Sequence, residues 1–122
     1  MNTYTFQEVM QYVMENDVKF IRLAFCDIFG TQKNISIMPR ELSRAFREGI
    51  SIDASSIRGF ANANRSDLLL FPEPSTLSVL PWRPSQGRGV RFFCDIKYPD
   101  GTPFECDARQ VLRQAQSDMK KL

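Results

Sequence analysis

The chain has no histidine at any of its 122 positions. That absence removes the usual general base at neutral pH, the commonest metal ligand and every His-assisted nucleophile. Carboxylates, lysine, tyrosine and cysteine are left to move protons. Cysteine is scarce too: Cys26, Cys94 and Cys106 are odd in number, widely spaced and form no C-x-x-C. Without histidine they make no zinc set, and they read as buried free thiols. No apolar run approaches the roughly 20 residues a membrane helix needs. The start, "MNTYTFQEVM", has neither the basic nor the apolar region of a signal peptide. A cytoplasmic protein is expected, with no membrane partner. Excess charge of one sign is missing as well. Lys and Arg total 16 against 14 acidic residues, a net charge of +2, which provides no field for nucleic acid or an acidic membrane.

What is present is ordinary for a globular domain: 43% hydrophobic and 25% charged residues. A chain of this length closes one core, burying about two-thirds of the surface exposed when unfolded. Its apolar periodicity alternates between helix and strand. In "TFQEVMQYVMEN", Thr5 and Glu8 make a capping box, Phe6, Val9, Met10 and Val13 share a helical face, and Asn16 is a stop. "DVKFIRLAFCD" alternates as a strand, "IFGTQ" turns at Gly30, and "KNISIM" returns, which together predict a hairpin. "PRELSRAFREG" is a short helix with Pro39 at its start and Gly49 just past its end. "ISID" is a brief strand. "DLLLF" reads as a strand covered on both faces, "LSVLPW" as another, and "VRFFCDIKY" as the last long one. Asp107 then caps "ARQVLRQAQSDMKKL", with Val111, Leu112, Ala115, Met119 and Leu122 on one side. That apolar pattern is still in phase at Leu122, so a longer protein is expected. The order of elements predicts an α+β design, a mixed sheet with packed helices.

The polar residues that could carry chemistry sit in loops. "SQGRGV" holds a G-x-G, but it precedes a strand and reads as a connecting loop rather than a phosphate cradle. Arg83, Arg88 and Arg91, with Arg58, Arg65 and Trp82, read as a solvated or subunit-contacting surface. "SIDASSIRGF" plants Asp53 and two hydroxyls between Ile52, Ile57 and Phe60. Asp53 either serves its own backbone as a turn or cap, or faces a ligand; Asp67, just before "LLLF", poses the same alternative. No Asp-Ser-His, Cys-His or Glu-x-x-His set is present to make a self-contained active site.

Four stretches, "VKFIRLAFCDIFGTQKNISI", "IDASSIRGF", "SDLLLFPEPSTLSVLPW" and "VRFFCDIKYPDGTPFECDAR", resemble in order and spacing the amino-terminal domain of type I, bacterial-type glutamine synthetase. The resemblance implies a β-grasp fold over residues 1–106. Residues 107–122 would then begin the helix leading into a catalytic domain that this chain lacks. It further implies that the "IDASSIRGF" loop reaches into the catalytic barrel of a neighbouring subunit in a ring-shaped oligomer. There Asp53 would bind ammonium and take its proton, with Ser56 nearby and Asp67 as a second carboxylate of the ammonium site. In the family the loop usually reads Asp-Gly-Ser-Ser, where this chain has Ala54; Asn62, Asn64 and Arg65 also depart from the pattern. The family's metal-binding, ATP-binding and glutamate-binding residues lie in the catalytic portion. Mg2+ or Mn2+ and ATP are therefore implied for the full-length enzyme, with no cofactor or metal in this chain, which is expected to be inactive alone. A free-standing β-grasp module that binds or regulates a full-length synthetase is the alternative.

Overall fold

A computed structural model of the chain describes residues 5–26, 31–53, 67–81, 85, 87–104 and 107–120. Helix α1 (Phe6–Glu15) begins where the sequence signals it: the Thr5 hydroxyl accepts the Glu8 N–H at 3.2 Å and donates to the Glu8 carboxylate at 3.1 Å. Val9 and Val13 are its buried residues. At its end, the backbone N–H and the side-chain amide of Asn16 both donate to the Tyr12 carbonyl, at 3.1 and 2.9 Å. Asp17 then turns the chain through a left-handed conformation, φ +51°. Asp, with its short polar side chain, tolerates that region better than most residues.

Strands β1 (Val18–Cys26) and β2 (Gln32–Ile37) form the expected antiparallel hairpin, in register from Ile21↔Ile37 to Cys26↔Gln32. Its tip at Gly30 lies outside the described residues. A 3₁₀ turn (Pro39–Glu41) leads into helix α2 (Leu42–Glu48). There the Glu41 carboxylate accepts the Met38 N–H at 2.9 Å. Gly49 ends the helix at φ +78°, and a Cβ at this position would come within 2.9 Å of the Phe71 ring. Both the backbone and the space demand glycine.

Strands β3 (Ile50–Asp53), β4 (Asp67–Pro72), β5 (Ser78–Val79) and β6 (Arg88–Lys97) complete a mixed sheet ordered β2-β1-β6-β4-β3, with β5 beside β6. Strands β1 and β6 pair in parallel and the other pairs are antiparallel. Val9, Val13, Leu42 and Ala45 from the helices pack with Ile21, Leu23, Leu68, Leu70, Val90 and Phe92 from the sheet in one buried cluster. One correction concerns β4. Its apolar run predicts cover on both faces, yet Leu68 and Leu70 are buried while Leu69 and Phe71 are only half-buried. The two helices cover one face of the sheet. On the other, Phe71 has the Lys97 ammonium 4.8 Å from its ring centre.

Helix α3 (Ala108–Lys120) is clamped at its base. Asp107 is 2% exposed; one of its oxygens accepts the Ile96 N–H of β6 at 3.0 Å, and the other accepts the Arg109 N–H at 3.1 Å. Burial pushes the Asp107 carboxyl above the usual range, and the two backbone N–H donors pull it back. Asp95 of β6 accepts from Arg109 at 3.1 Å and Arg113 at 2.5 Å. Beyond this base the helix stands out from the sheet: Val111, Leu112 and Met119 are 56, 60 and 71% exposed. Of the apolar stripe read from the sequence, Val111, Leu112, Ala115 and Met119 are exposed rather than packed on the core, and Leu122 lies outside the described residues.

Candidate functional site

The site begins with two short strands whose core residues dictate their alignment. Ile50 pairs with Leu70 and Ile52 with Leu68, in register along β3 and β4. A slip of one residue would move the buried leucines to the open face, so burial pins the register. The next pair in that register is Asp53 with Asp67. Two carboxylate-bearing residues therefore stand opposite each other at the root of the connection formed by residues 54–66.

Directly opposed residues of an antiparallel pair have Cα atoms about 4.5–5.5 Å apart. Asp67 is exposed, and no ion pair joins it to another described residue. Ser56, the third expected member, lies outside the described residues, as do Ala54, Asn62, Asn64 and Arg65. What sequence reading missed is the direct opposition of Asp53 and Asp67. The signal was there: each follows or precedes an alternating apolar run, and aligning Ile50 and Ile52 with Leu70 and Leu68 brings the two together.

The other candidates take structural positions. Cys94 is buried, and burial pushes its thiol up, far from thiolate chemistry. Cys26 is half-buried, and Cys106 lies outside the described residues. Gly87, at φ +85°, turns the chain into β6 rather than into a helix, and a Cβ there would meet the Lys19 side chain at 2.6 Å. Arg88 reaches the Asn16 carbonyl at 3.4 Å. Arg83, Arg58, Arg65 and Trp82 lie outside the described residues. Among the described residues no group of three or more His, Cys, Asp or Glu is arranged to hold a metal ion. No helix among these residues is long and apolar enough to cross a membrane.

A mixed sheet gripping its helices on one face, with a central parallel pair, defines an α+β domain of the β-grasp class. Residues 17–99 match the family model of the glutamine synthetase β-grasp domain. The chain belongs to that family. It is 47% identical over 122 residues to a glutamine synthetase of Clostridium saccharobutylicum, covering 100% of this chain and 28% of that protein. It is 48% identical over 108 residues to one of Mycobacterium bovis, covering 87% of this chain and 24% of that one. The chain thus spans about a quarter of the length of these relatives. Among solved structures, Plasmodium falciparum glutamine synthetase superposes with a TM-score of 0.83 at 23% identity, over 99% of this chain and 24% of that one. A GmaS/ADP complex superposes with a TM-score of 0.73 at 24% identity, over 92% of this chain and 26% of that chain. At those identities the structural likeness speaks for the fold alone.

Proposed function

We propose that the chain is the amino-terminal β-grasp part of an ATP-dependent glutamate–ammonia ligase of the cytoplasm, and that Asp53 and Asp67 form its ammonium edge. In this reading the 54–66 loop carries Asp53 and Ser56 into the catalytic barrel of an adjacent subunit in a ring-shaped oligomer. The register that sets Asp53 opposite Asp67 carries the proposal, because paired carboxylates at a loop root attract a small cation. The family membership supports it.

The chemistry follows from ammonium itself. At neutral pH it is mostly protonated, and its nitrogen has no lone pair with which to attack. A carboxylate at contact attracts the ion by up to about 4 kcal/mol at an effective dielectric near 20. The catalytic portion, with ATP and a divalent metal, converts the glutamate side chain to an acyl phosphate. Asp53 accepts one ammonium proton, which frees the nitrogen lone pair; the nitrogen then bonds to the acyl carbon, the C–O bond to phosphate breaks, and the second proton leaves the nitrogen for the departing phosphate or solvent. Asp67 keeps the cation in place before the proton is lost. Ser56 offers a hydroxyl to orient the nitrogen. None of this occurs in the 122-residue chain alone.

The test is a chimera in which this chain replaces the matching amino-terminal quarter of the Clostridium enzyme. It should form glutamine, and Asp53→Asn should lower kcat/KM for ammonium by about 10²–10⁴-fold, the usual weight of a general base. Undiminished activity of the chimera carrying Asp53→Asn overturns the role of Asp53. A folded, assembled chimera with no activity before any mutation overturns the ligase reading and favours a free-standing binding module.

A further inference from the structure

The core leaves a hollow at the joint where α1 ends over β5 and β6. Val18 pairs in register with Arg88, and Val79 with Val90. Register partners share a face of a sheet, and so do residues two apart along a strand. All four residues therefore belong to the face that the helices cover, where Val18 and Val90 are buried in the core cluster. Val79 is the exception on that face: it is 61% exposed. A cavity of about 250 Å³ adjoins it, walled by Tyr12 and the Asn16 cap of α1, by Val18, Val79 and Val90 of the sheet, and by Arg88 at the start of β6.

Arg88 is the single charged residue in that wall. Its Nη1 donates to the Asn16 carbonyl at 3.4 Å, a bond between residues 72 positions apart that holds the guanidinium against the end of α1. A guanidinium has five N–H donors, and its Nε–H and Nη2–H edge is one that grips a carboxylate with two parallel bonds. The bond to Asn16 leaves that edge unused. No carboxylate among the described residues pairs with Arg88. The acids nearest to Asn16 in sequence are engaged elsewhere: Asp17 with Lys19 at 3.0 Å, and Glu15 with the Gln11 amide at 2.9 Å. The result is an apolar cup with one uncompensated cation at its wall.

We propose that this cavity binds a small amphipathic carboxylate, a single ring or branched chain joined to its acid by a short link. The apolar body covers Val79 and gains from leaving water, and the carboxylate takes the unused edge of Arg88. Size limits the choice. The cavity is smaller than the roughly 300–1,000 Å³ that holds a drug-sized ligand, so a nucleotide or a helix of a protein partner does not fit. Charge limits it further. A cationic ligand meets Arg88 with no acid to receive it, and a neutral hydrocarbon covers the guanidinium without giving its N–H groups an acceptor. The second cleft, lined by Pro103, Val111 and Asp118, has no cation in its wall and makes no such selection. The inference does not depend on the role of Asp53.

The experiment is an NMR titration of the labelled 122-residue chain with phenylacetate, alongside its neutral analogue phenylacetamide and inorganic phosphate. Phenylacetate should shift the methyl signals of Val18, Val79 and Val90 and the Nε–H signal of Arg88 saturably, with a Kd on the order of 1 mM for so small a ligand. Its ring protons should show contacts to the Val79 methyls. Phenylacetamide should bind at least tenfold more weakly. Arg88→Gln should bring phenylacetate down to the level of phenylacetamide and leave phenylacetamide unchanged, and Arg88→Lys should weaken phenylacetate less. Folding of each variant is checked by the Leu23 and Phe92 amide signals. Unchanged phenylacetate binding in the folded Arg88→Gln protein overturns the proposal, as does a titration that stays unsaturated at about twenty times the expected Kd. Equal binding by phenylacetamide makes the cavity an apolar hollow, and equal binding by phosphate makes Arg88 a plain anion contact; either result overturns the amphipathic carboxylate.

Discussion

Two pairs of aspartates occupy this domain, and their surroundings are opposite. Asp95 and Asp107 sit where α3 meets β6, and every charge or lone pair that matters there has a partner: two arginines on Asp95, two backbone N–H groups on Asp107. Asp53 and Asp67 are register partners at the root of a loop, with Asp67 exposed and in no ion pair with a described residue. The first pair is spent on holding a helix to a sheet. The second is the pair that the proposed function assigns to an incoming cation. The same residue type is bonded into the fold in one place and, in the proposed function, is kept for chemistry in the other.

That contrast can be broken most sharply by matched substitutions. In the chimera, Asp53→Asn should cost about 10²-fold or more in kcat/KM for ammonium with little change in stability. Asp107→Asn should leave that ratio within a few-fold while destabilising the fold. In the domain itself, Asp107→Ala leaves the Ile96 and Arg109 N–H groups without their acceptor, and a loss of about 2–4 kcal/mol is expected in urea unfolding. Asp107→Asn keeps one acceptor oxygen and should lose about half as much.

Next in size is Asp95→Ala. Arg113 is 46% exposed and Asp95 18%, so solvent screens much of the pairing and about 1 kcal/mol is expected. A pH series sharpens the comparison further. The Asp107 carboxyl titrates higher in the folded chain than in the unfolded one because of its burial. The native state therefore takes up the proton first as pH falls. The stability contributed at this position grows as pH drops from neutral through the raised folded value, and it levels off below the unfolded value near about pH 3.9. Denaturant midpoints of the wild type and Asp107→Ala should diverge in that direction; convergence would contradict the assignment. The smallest effect is expected at the outer stripe of α3. Val111→Ser or Met119→Ser in the isolated domain should change its stability by less than about 0.5 kcal/mol, because neither residue is buried against the sheet.

Local punctuation was legible in the sequence because it acts over one helical turn. Thr5 with Glu8, Pro39 with Gly49, and Asp107 before Arg109 each announce a helix end, and each makes the expected contact or conformation. The hairpin of β1 and β2 was legible for the same reason. Long-range facts were not. Nothing near Asp107 reveals that its second oxygen serves Ile96 in a strand. Nothing in "DLLLF" says that helices will cover only one face. The parallel pairing of β1 with β6 joins segments about seventy positions apart, and only that pairing sets Arg22 beside Arg91. Of the candidate site, the residue types were legible and their opposition was latent in two short apolar runs. The roles of Asp53, Ser56 and Asp67 came from the family resemblance.

The central claim is that Asp67 faces a cation together with Asp53, and the most direct measurement is the KM for ammonium of the chimera carrying Asp67→Asn. The account predicts a rise of about tenfold or more, consistent with losing an attraction of about one to two kcal/mol at a partly solvated site, with the KM values for glutamate and ATP unchanged. An ammonium KM equal to that of the unsubstituted chimera, or an equal rise for all three substrates, would contradict it.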